Sequence, residues 1–279
     1  MSSHDQHKGE TVIVEELSGL DDQKQANAIA DRFESVANQC NPLLDVILPS
    51  IPDGSDLQIE TVDVYKALLK IKTTTSTVEN DIPAKVIKMF ALEIVPLAHI
   101  INTSVYANLW KLETVTPVPK VFPPLLSKHL RKISVFMNFS KVTEQIISEY
   151  LVADMEEKFD KSQFVNQKQT GVQHYLLKLV HKILCTLDKN SKGDILAVFA
   201  NLNDWRQAFD LQWPKLGLES FVRNGVRPAL LPLLKNYFQN RKMVVKWLAG
   251  VRTGMEIPYF SFFFLTASLN YQFWTGLGI

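Results

Sequence analysis

Asp204 is the residue whose type and setting best suit metal chemistry. It follows residues 194–203, where Ile195, Leu196, Val198, Phe199 and Leu202 form the near-continuous apolar run of a buried strand. A carboxylate at the end of such a strand can project into a cleft. Equally, it can cap the turn or helix that follows, with Phe209 in the core. Metal-assisted displacement at phosphorus needs several carboxylates, which hold the ions that activate a hydroxyl and neutralise the leaving group. No aspartate follows Asp210, and the only adjacent pair, Asp21 and Asp22, lies far upstream.

Cationic residues offer a second chemistry. Between Phe221 and Arg252 stand Arg223, Arg227, Lys235, Arg241, Lys242, Lys246 and Arg252 with no acid among them, and Tyr237, Phe238 and Trp247 are interleaved. Such a stretch can track a nucleic-acid backbone, or it can form the outer face of a helix and strand. Arg131 and Lys168 are candidates for phosphate contacts elsewhere. His174, His181 and Cys185 lie at helical spacing, and with no further ligand nearby their placement reads as helix packing rather than a metal site. No Gly-rich phosphate loop is visible, and no His stands with Ser or Cys in a nucleophile pattern.

The bulk properties bound these readings. A chain of 279 residues with 46% apolar content can bury a proper core, and a net charge of +1 excludes a strongly basic coat protein. Cys40 and Cys185 are the only cysteines, too few for a disulfide framework or zinc module, so a reducing compartment is expected. The polar, acidic N-terminus lacks a secretory pattern, and the expectation is an intracellular protein, cytoplasmic or nuclear. Residues 257–279 carry no charge, but their strongly apolar part, Ile257 to Leu269 with Phe260, Phe262, Phe263, Phe264 and Leu265 crowded together, is shorter than the roughly 20 residues a spanning helix needs. The expectation there is a core segment, with membrane insertion disfavoured.

Several elements must position these groups. Ala26, Ile29, Ala30, Phe33, Val36 and Ala37 predict an amphipathic helix within 20–40, with Asp21 or Asp22 as its cap. Pro42, Pro49, Pro52 and Gly54 predict an extended connector. Helical spacing returns over 61–72, and again from Asp81-Ile82-Pro83 to about Val105, with Pro83 in the first turn. Pro117 and Pro119 argue that 115–120 is an edge or extended segment and not a central strand. Two helices follow, at 141–158 and 172–187, and a late strand enters a turn near Ala249-Gly250. Helices before a buried strand, with a late strand and turn, predict an α+β fold.

From about Thr61 to Pro258 the order of segments resembles LINE-type, non-long-terminal-repeat retrotransposon reverse transcriptases. Asn80-Asp81-Ile82-Pro83-Ala84-Lys85 is similar to the family's "PDGIPA" turn, without its glycine and first proline. Trp110 with Val115-Thr116-Pro117-Val118-Pro119-Lys120 resembles "W…ITPIPK", and Arg131-Lys132-Ile133-Ser134 followed by Ser140-Lys141-Val142-Thr143-Glu144 resembles "YRPIS…SKVLE". Gln163-Phe164 and Lys168 stand where the family has a basic cluster, of which one base is kept. The most specific match is Asn203-Asp204-Trp205-Arg206-Gln207-Ala208-Phe209-Asp210, similar to "LDFSKAFD". Asn236-Tyr237-Phe238-Gln239-Asn240-Arg241-Lys242 resembles "YLSNRKQ", and Ala249-Gly250-Val251 resembles the start of "AGVPQG", with Arg252 and Thr253 replacing its proline and glutamine.

The resemblance implies helix-rich fingers and an incomplete palm over residues 61–269, after an N-terminal helix and connector at 1–60 and before a tail at 270–279 unlike the family. It places Asp204 at the first catalytic, Mg²⁺-binding aspartate and Phe209 at the aromatic that excludes a ribose 2′-hydroxyl. Arg131 then joins Phe209 as nucleotide-binding, and Lys168, Arg241, Lys242 and Lys246 as nucleic-acid-binding. The family's downstream aspartate pair has no counterpart here, so the expectation is ancestry in an RNA-directed DNA polymerase without activity alone, no productively bound Mg²⁺, and weak binding of RNA or an RNA/DNA duplex. The alternatives are a host-adopted nucleic-acid-binding or protein-interaction module and a tail-anchored protein.

Overall fold

The computed structural model describes residues 12–38, 47–50, 57–74, 77–158, 171–188 and 214–256. Asp204, Phe209 and Lys168, the strand expected at 194–203 and the tail at 257–279 lie outside the described residues.

The first helix, α1 (Asp22–Ala37), begins where its cap places it: Asp21 is extended, and its carboxylate accepts the Lys24 backbone N–H at 2.8 Å. Next, α2 (Thr61–Lys70) buries Val64, Ala67 and Leu68. The continuous helical spacing expected from Asp81 to Val105 is corrected to three short helices, α3 (Ala84–Met89), α4 (Ala91–Ile94) and α5 (Leu97–Asn102). Phe90 leaves the helical region at φ −106° and ψ 28°, and Pro96, which has no N–H to continue a helix, stands at the second break. Pro83 is the N-cap of α3 and lies just outside its first turn. Asp81 instead serves α6 (Asn138–Met155), accepting the Asn138 backbone N–H at 2.7 Å. The remaining helices are α7 (Val172–Asp188), α8 (Pro214–Arg223) and α9 (Leu231–Phe238).

Four strands, β1 (Leu112–Pro119), β2 (Leu130–Val135), β3 (Lys242–Trp247) and β4 (Gly250–Glu256), form a sheet in the order β2-β1-β3-β4. The β1–β3 pair is parallel and the outer two pairs are antiparallel. The chain is therefore α+β. The proline-bearing segment expected as an edge or extended piece is the far part of β1: β1 as a whole lies between β2 and β3, but beyond Val115 it pairs with β2 alone. Its prolines are tolerated by their position. The Lys120 N–H donates to the His129 carbonyl at 2.7 Å, so even-numbered residues turn their amides toward β2. Pro117 and Pro119 turn the side without an N–H toward β3, whose pairing ends at Val115.

Two apolar cores result. One joins α2, α3, α5, α6, α8 and α9, with Leu68, Ile87, Ile101, Ile147, Phe221 and Leu234 inside it. The other lies between α1 and the inner face of the sheet, where Ile29 and Ala30 meet Val115, Met243, Val245 and Trp247. The N-terminal helix, assigned from sequence to a separate leading segment, thus closes a sheet whose first strand begins 75 positions after the helix ends.

This closure depends on one glycine. At Gly250 a Cβ would stand 2.1 Å from the Asp22 carbonyl oxygen and 2.9 Å from the Ala26 Cβ. The contact is fixed on either side by polar bonds: Gln23 donates its side-chain amide to the Val251 carbonyl at 2.9 Å, and the Trp247 indole N–H donates to Gln25 Oε1 at 3.0 Å. A side chain at 250 must push the helix off the hairpin. Gly250→Ala is expected to lower stability by about 1–3 kcal/mol, the usual range for overpacking. The loss should appear as a lower urea midpoint and faster amide exchange concentrated in α1 and β4, and an unchanged midpoint would contradict the tight packing.

Candidate nucleic-acid interface

The basic stretch of the sequence does not form one strip in space. Arg227 is held by Asp154, which accepts the Arg227 backbone N–H at 2.9 Å and ion-pairs with its guanidinium at 2.5 Å. Arg252 reaches Asp31 of α1 at 3.8 Å, and Lys246 meets Glu79 at 2.7 Å. Arg241 requires a correction. Expected at a nucleic-acid surface, it is fully buried. Strand periodicity explains this: residues 241, 243, 245 and 247 turn inward, whereas 242, 244 and 246 turn outward. Arg241 therefore belongs with Met243, Val245 and Trp247, and Lys242 stays in solvent.

Arg241 enters a buried polar centre made by several elements. Its guanidinium carbon lies 4.5 Å from the Tyr237 ring centroid and 5.5 Å from that of Phe136. The Tyr237 hydroxyl donates to Glu144 Oε1 at 2.9 Å, and the Tyr106 and Ser140 hydroxyls lie 2.8 Å apart. Tyr106 also packs edge-on against Tyr237 with centroids 4.8 Å apart. Glu113, on the inner face of β1, is fully buried, with Lys132 at 3.8 Å. The Arg241 guanidinium nitrogens and Glu144 Oε2 make no hydrogen bond among the described residues. Burial disfavours the Arg241 cation, but Tyr237, Tyr106, Glu144 and Glu113 around it more than offset this and raise its pKa. Burial pushes the Glu144 carboxyl up to about 7, with nearby Glu113 adding to the rise, while Arg241 and the Tyr237 and Ser140 bonds oppose it. The centre joins α6, α9, β1 and the start of β3. Its work is interior.

Outward-facing cations remain on the opposite side of the sheet. Arg131 is exposed on β2 opposite Val118, and Lys242 and Lys246 share that face on β3. The open face also carries Thr116, Ile133 and Val251, all exposed. Sequence reasoning missed Lys120 and Lys128, exposed in the loop that joins β1 to β2. A signal for them existed, because no acid occurs between Glu113 and Glu144. The structure therefore brings Arg131, Lys242 and Lys246 to one face and separates Arg241 from them.

The histidines and cysteine of α7 also differ from expectation. His174 and His181 are exposed and Cys185 is half-buried, its Sγ 3.5 Å from His181 Nε2, so among the described residues these side chains enter no core. Among the described residues no cluster of three or more His, Cys, Asp or Glu side chains is placed to hold a metal ion. No described helix is long and apolar enough to cross a membrane. No family model matches this sequence, and no curated protein matches it.

The buried centre has a thermodynamic signature. Glu144 has an ordinary pKa of 4.5 in the unfolded chain and about 7 in the fold, so the folded state binds the extra proton. Its contribution is fully favourable below about pH 4.5 and is lost as pH rises to about 7, by about 3 kcal/mol in all. Urea unfolding across that range should show stability declining with pH in the native chain, with a flatter profile for Glu144→Gln. Parallel profiles for the two proteins would rule out Glu144 as the titrating group.

Proposed function

We propose that this chain derives from the reverse transcriptase of a LINE-type retrotransposon, corresponds to its fingers and first part of the palm, and binds nucleic acid without polymerising it alone. One observation carries the reading: each strand of the sheet contains or adjoins a segment that resembles the family. The "ITPIPK"-like segment lies on β1, the "YRPIS"-like segment on β2, the "SNRK"-like segment runs into β3, and the "AGV"-like segment opens β4. These segments are dispersed over more than a hundred residues, yet they are neighbours in one sheet. Chance likeness in scattered peptides gives no reason for them to pair with one another.

The donor set does not fit the family's Mg²⁺ pair. Asp204 supplies one carboxylate, no aspartate follows Asp210, and a pair of metal ions needs several oxygen ligands fixed together. No catalytic step is therefore assigned to this chain by itself. In this reading Asp204 and Phe209 are inherited positions, and Lys168 and Arg131 are inherited contacts to template and nucleotide.

The test is primer extension on an RNA template with Mg²⁺ or Mn²⁺, using purified chain. The expected result is no extension, with Asp204→Asn indistinguishable from the native sequence. Extension that disappears in Asp204→Asn would mean that a second carboxylate completes the site, overturning the claim of inactivity while supporting the ancestry.

A further inference from the structure

Among the described α-helices, α7 stands apart in how little of it is covered. Its 17 residues include none that is buried, whereas α6, one residue longer, buries nine, with Val142, Ile146, Ile147 and Leu151 among them. The composition of α7 is at odds with that exposure. Most of its residues are apolar, and Val172, Leu176, Leu177, Val180, Leu184 and Leu187 are each half or more exposed. Apolar surface of this extent on one element marks a contact site.

Helical periodicity sorts the side chains of α7 into two faces. At about 100° per residue, an arc of about 200° bounded by Tyr175 and Leu177 holds every apolar residue except Cys185, with only Gln173 and Thr186 of the polar ones inside it. The remaining arc carries His174, Lys178, His181 and Lys182, all exposed, and the one acid of the helix is its last residue, Asp188. No acid occurs anywhere from Lys161 to Leu187. A helix with a wide apolar face and a basic polar face lies along the boundary between lipid headgroups and acyl chains, its cations among the headgroups. A second copy of α7 is the poorer partner. Two such helices laid face to face would bring lysines and histidines of both beside one seam, and a helix–helix seam uses a much narrower apolar stripe. Charge complementarity selects an anionic surface.

We propose that α7 docks on the surface of an anionic phospholipid bilayer, lying parallel to it with Leu176, Val180 and Leu187 among the acyl chains and Lys178 and Lys182 against the headgroups. This is peripheral binding, which needs no spanning helix. It stands independently of the retrotransposon reading.

The experiment is co-sedimentation of the full chain with vesicles of phosphatidylcholine alone and of phosphatidylcholine with about one-third phosphatidylserine, at about 0.1 M salt. The native chain should bind the anionic vesicles more tightly than the neutral ones by about 25-fold, because each of two lysines contributes about 5-fold at such a surface. Lys178→Gln and Lys182→Gln should each weaken binding to the anionic vesicles about 5-fold. Leu176→Gln with Leu187→Gln, which keeps good helix formers, should weaken it by at least about 10-fold. The circular dichroism spectrum and urea midpoint of that variant should match the native chain, since neither leucine is buried. A lowered midpoint would mean that the protein itself covers this face, and would overturn the proposal. Equal binding to both kinds of vesicle, or binding to neither, would do the same. Vesicle binding that survives all of these substitutions would move the contact away from α7. Self-association lost in the leucine variant, without vesicle binding, would make a second copy the occupant. RNA binding lost in the lysine variants, with vesicle binding unchanged, would assign the basic face to nucleic acid instead.

Discussion

The Arg241 guanidinium carbon stands 4.5 Å from the Tyr237 ring centroid with none of the residue's surface in water, and the strand that follows inherits its orientation. With Arg241 inside, strand alternation sends Met243, Val245 and Trp247 inward to meet α1. The same alternation leaves Lys242 and Lys246 on the other side. Reversing it by one residue would bury two lysines and expose three large apolar side chains, which makes the register strongly specified. The covered face, the docking of the N-terminal helix and the open cationic face all follow from this one parity.

Burying a guanidinium is costly unless its surroundings compensate. Here compensation is distributed among the faces of Tyr237 and Phe136, the Glu144 carboxyl and Glu113 across the sheet's inner side. The centre also connects the two apolar cores, since α6 and α9 belong to the helical core and Met243 and Val115 to the sheet core. Polar groups in such a place contribute specificity more readily than stability, because they tolerate few alternative arrangements. Asp154 does similar work at the far end of α6, where it fixes Arg227 and so the chain entering α9. Two members of the acid-free basic stretch are thus spent on internal architecture.

Much of the fold was legible in the sequence where local rules act alone. The spacing of Ala26, Ile29 and Ala30, with Asp21 before them, located α1 and its cap. The Met243–Trp247 strand and its turn were located as well. Local rules fell short wherever a partner decided the outcome. The prolines of β1 marked the part beyond Val115 that pairs with β2 alone, but they did not indicate that the earlier part of the same strand lies between β2 and β3. Apolar spacing from Asp81 to Val105 hid two breaks, although Pro96 marked one of them. Charge pattern grouped Arg241 with Lys242, whereas the alternation of Arg241, Met243, Val245 and Trp247 already placed it with the apolar set. The site residues divide in the same way: Arg131, Lys242 and Lys246 are brought together by register, while Asp204, Phe209 and Lys168 lie outside the described residues.

The parity of β3 can be read directly by covalent labelling of arginine and lysine side chains in the native protein, followed by mass spectrometry. Phenylglyoxal should modify Arg131 readily and leave Arg241 unmodified until the protein is unfolded, and an amine-reactive reagent should modify Lys242. Neighbouring residues of one strand would then differ in reactivity according to the face they occupy. Modification of Arg241 in the native protein at a rate similar to Arg131 would contradict the inward placement, and with it the organisation of the sheet described above.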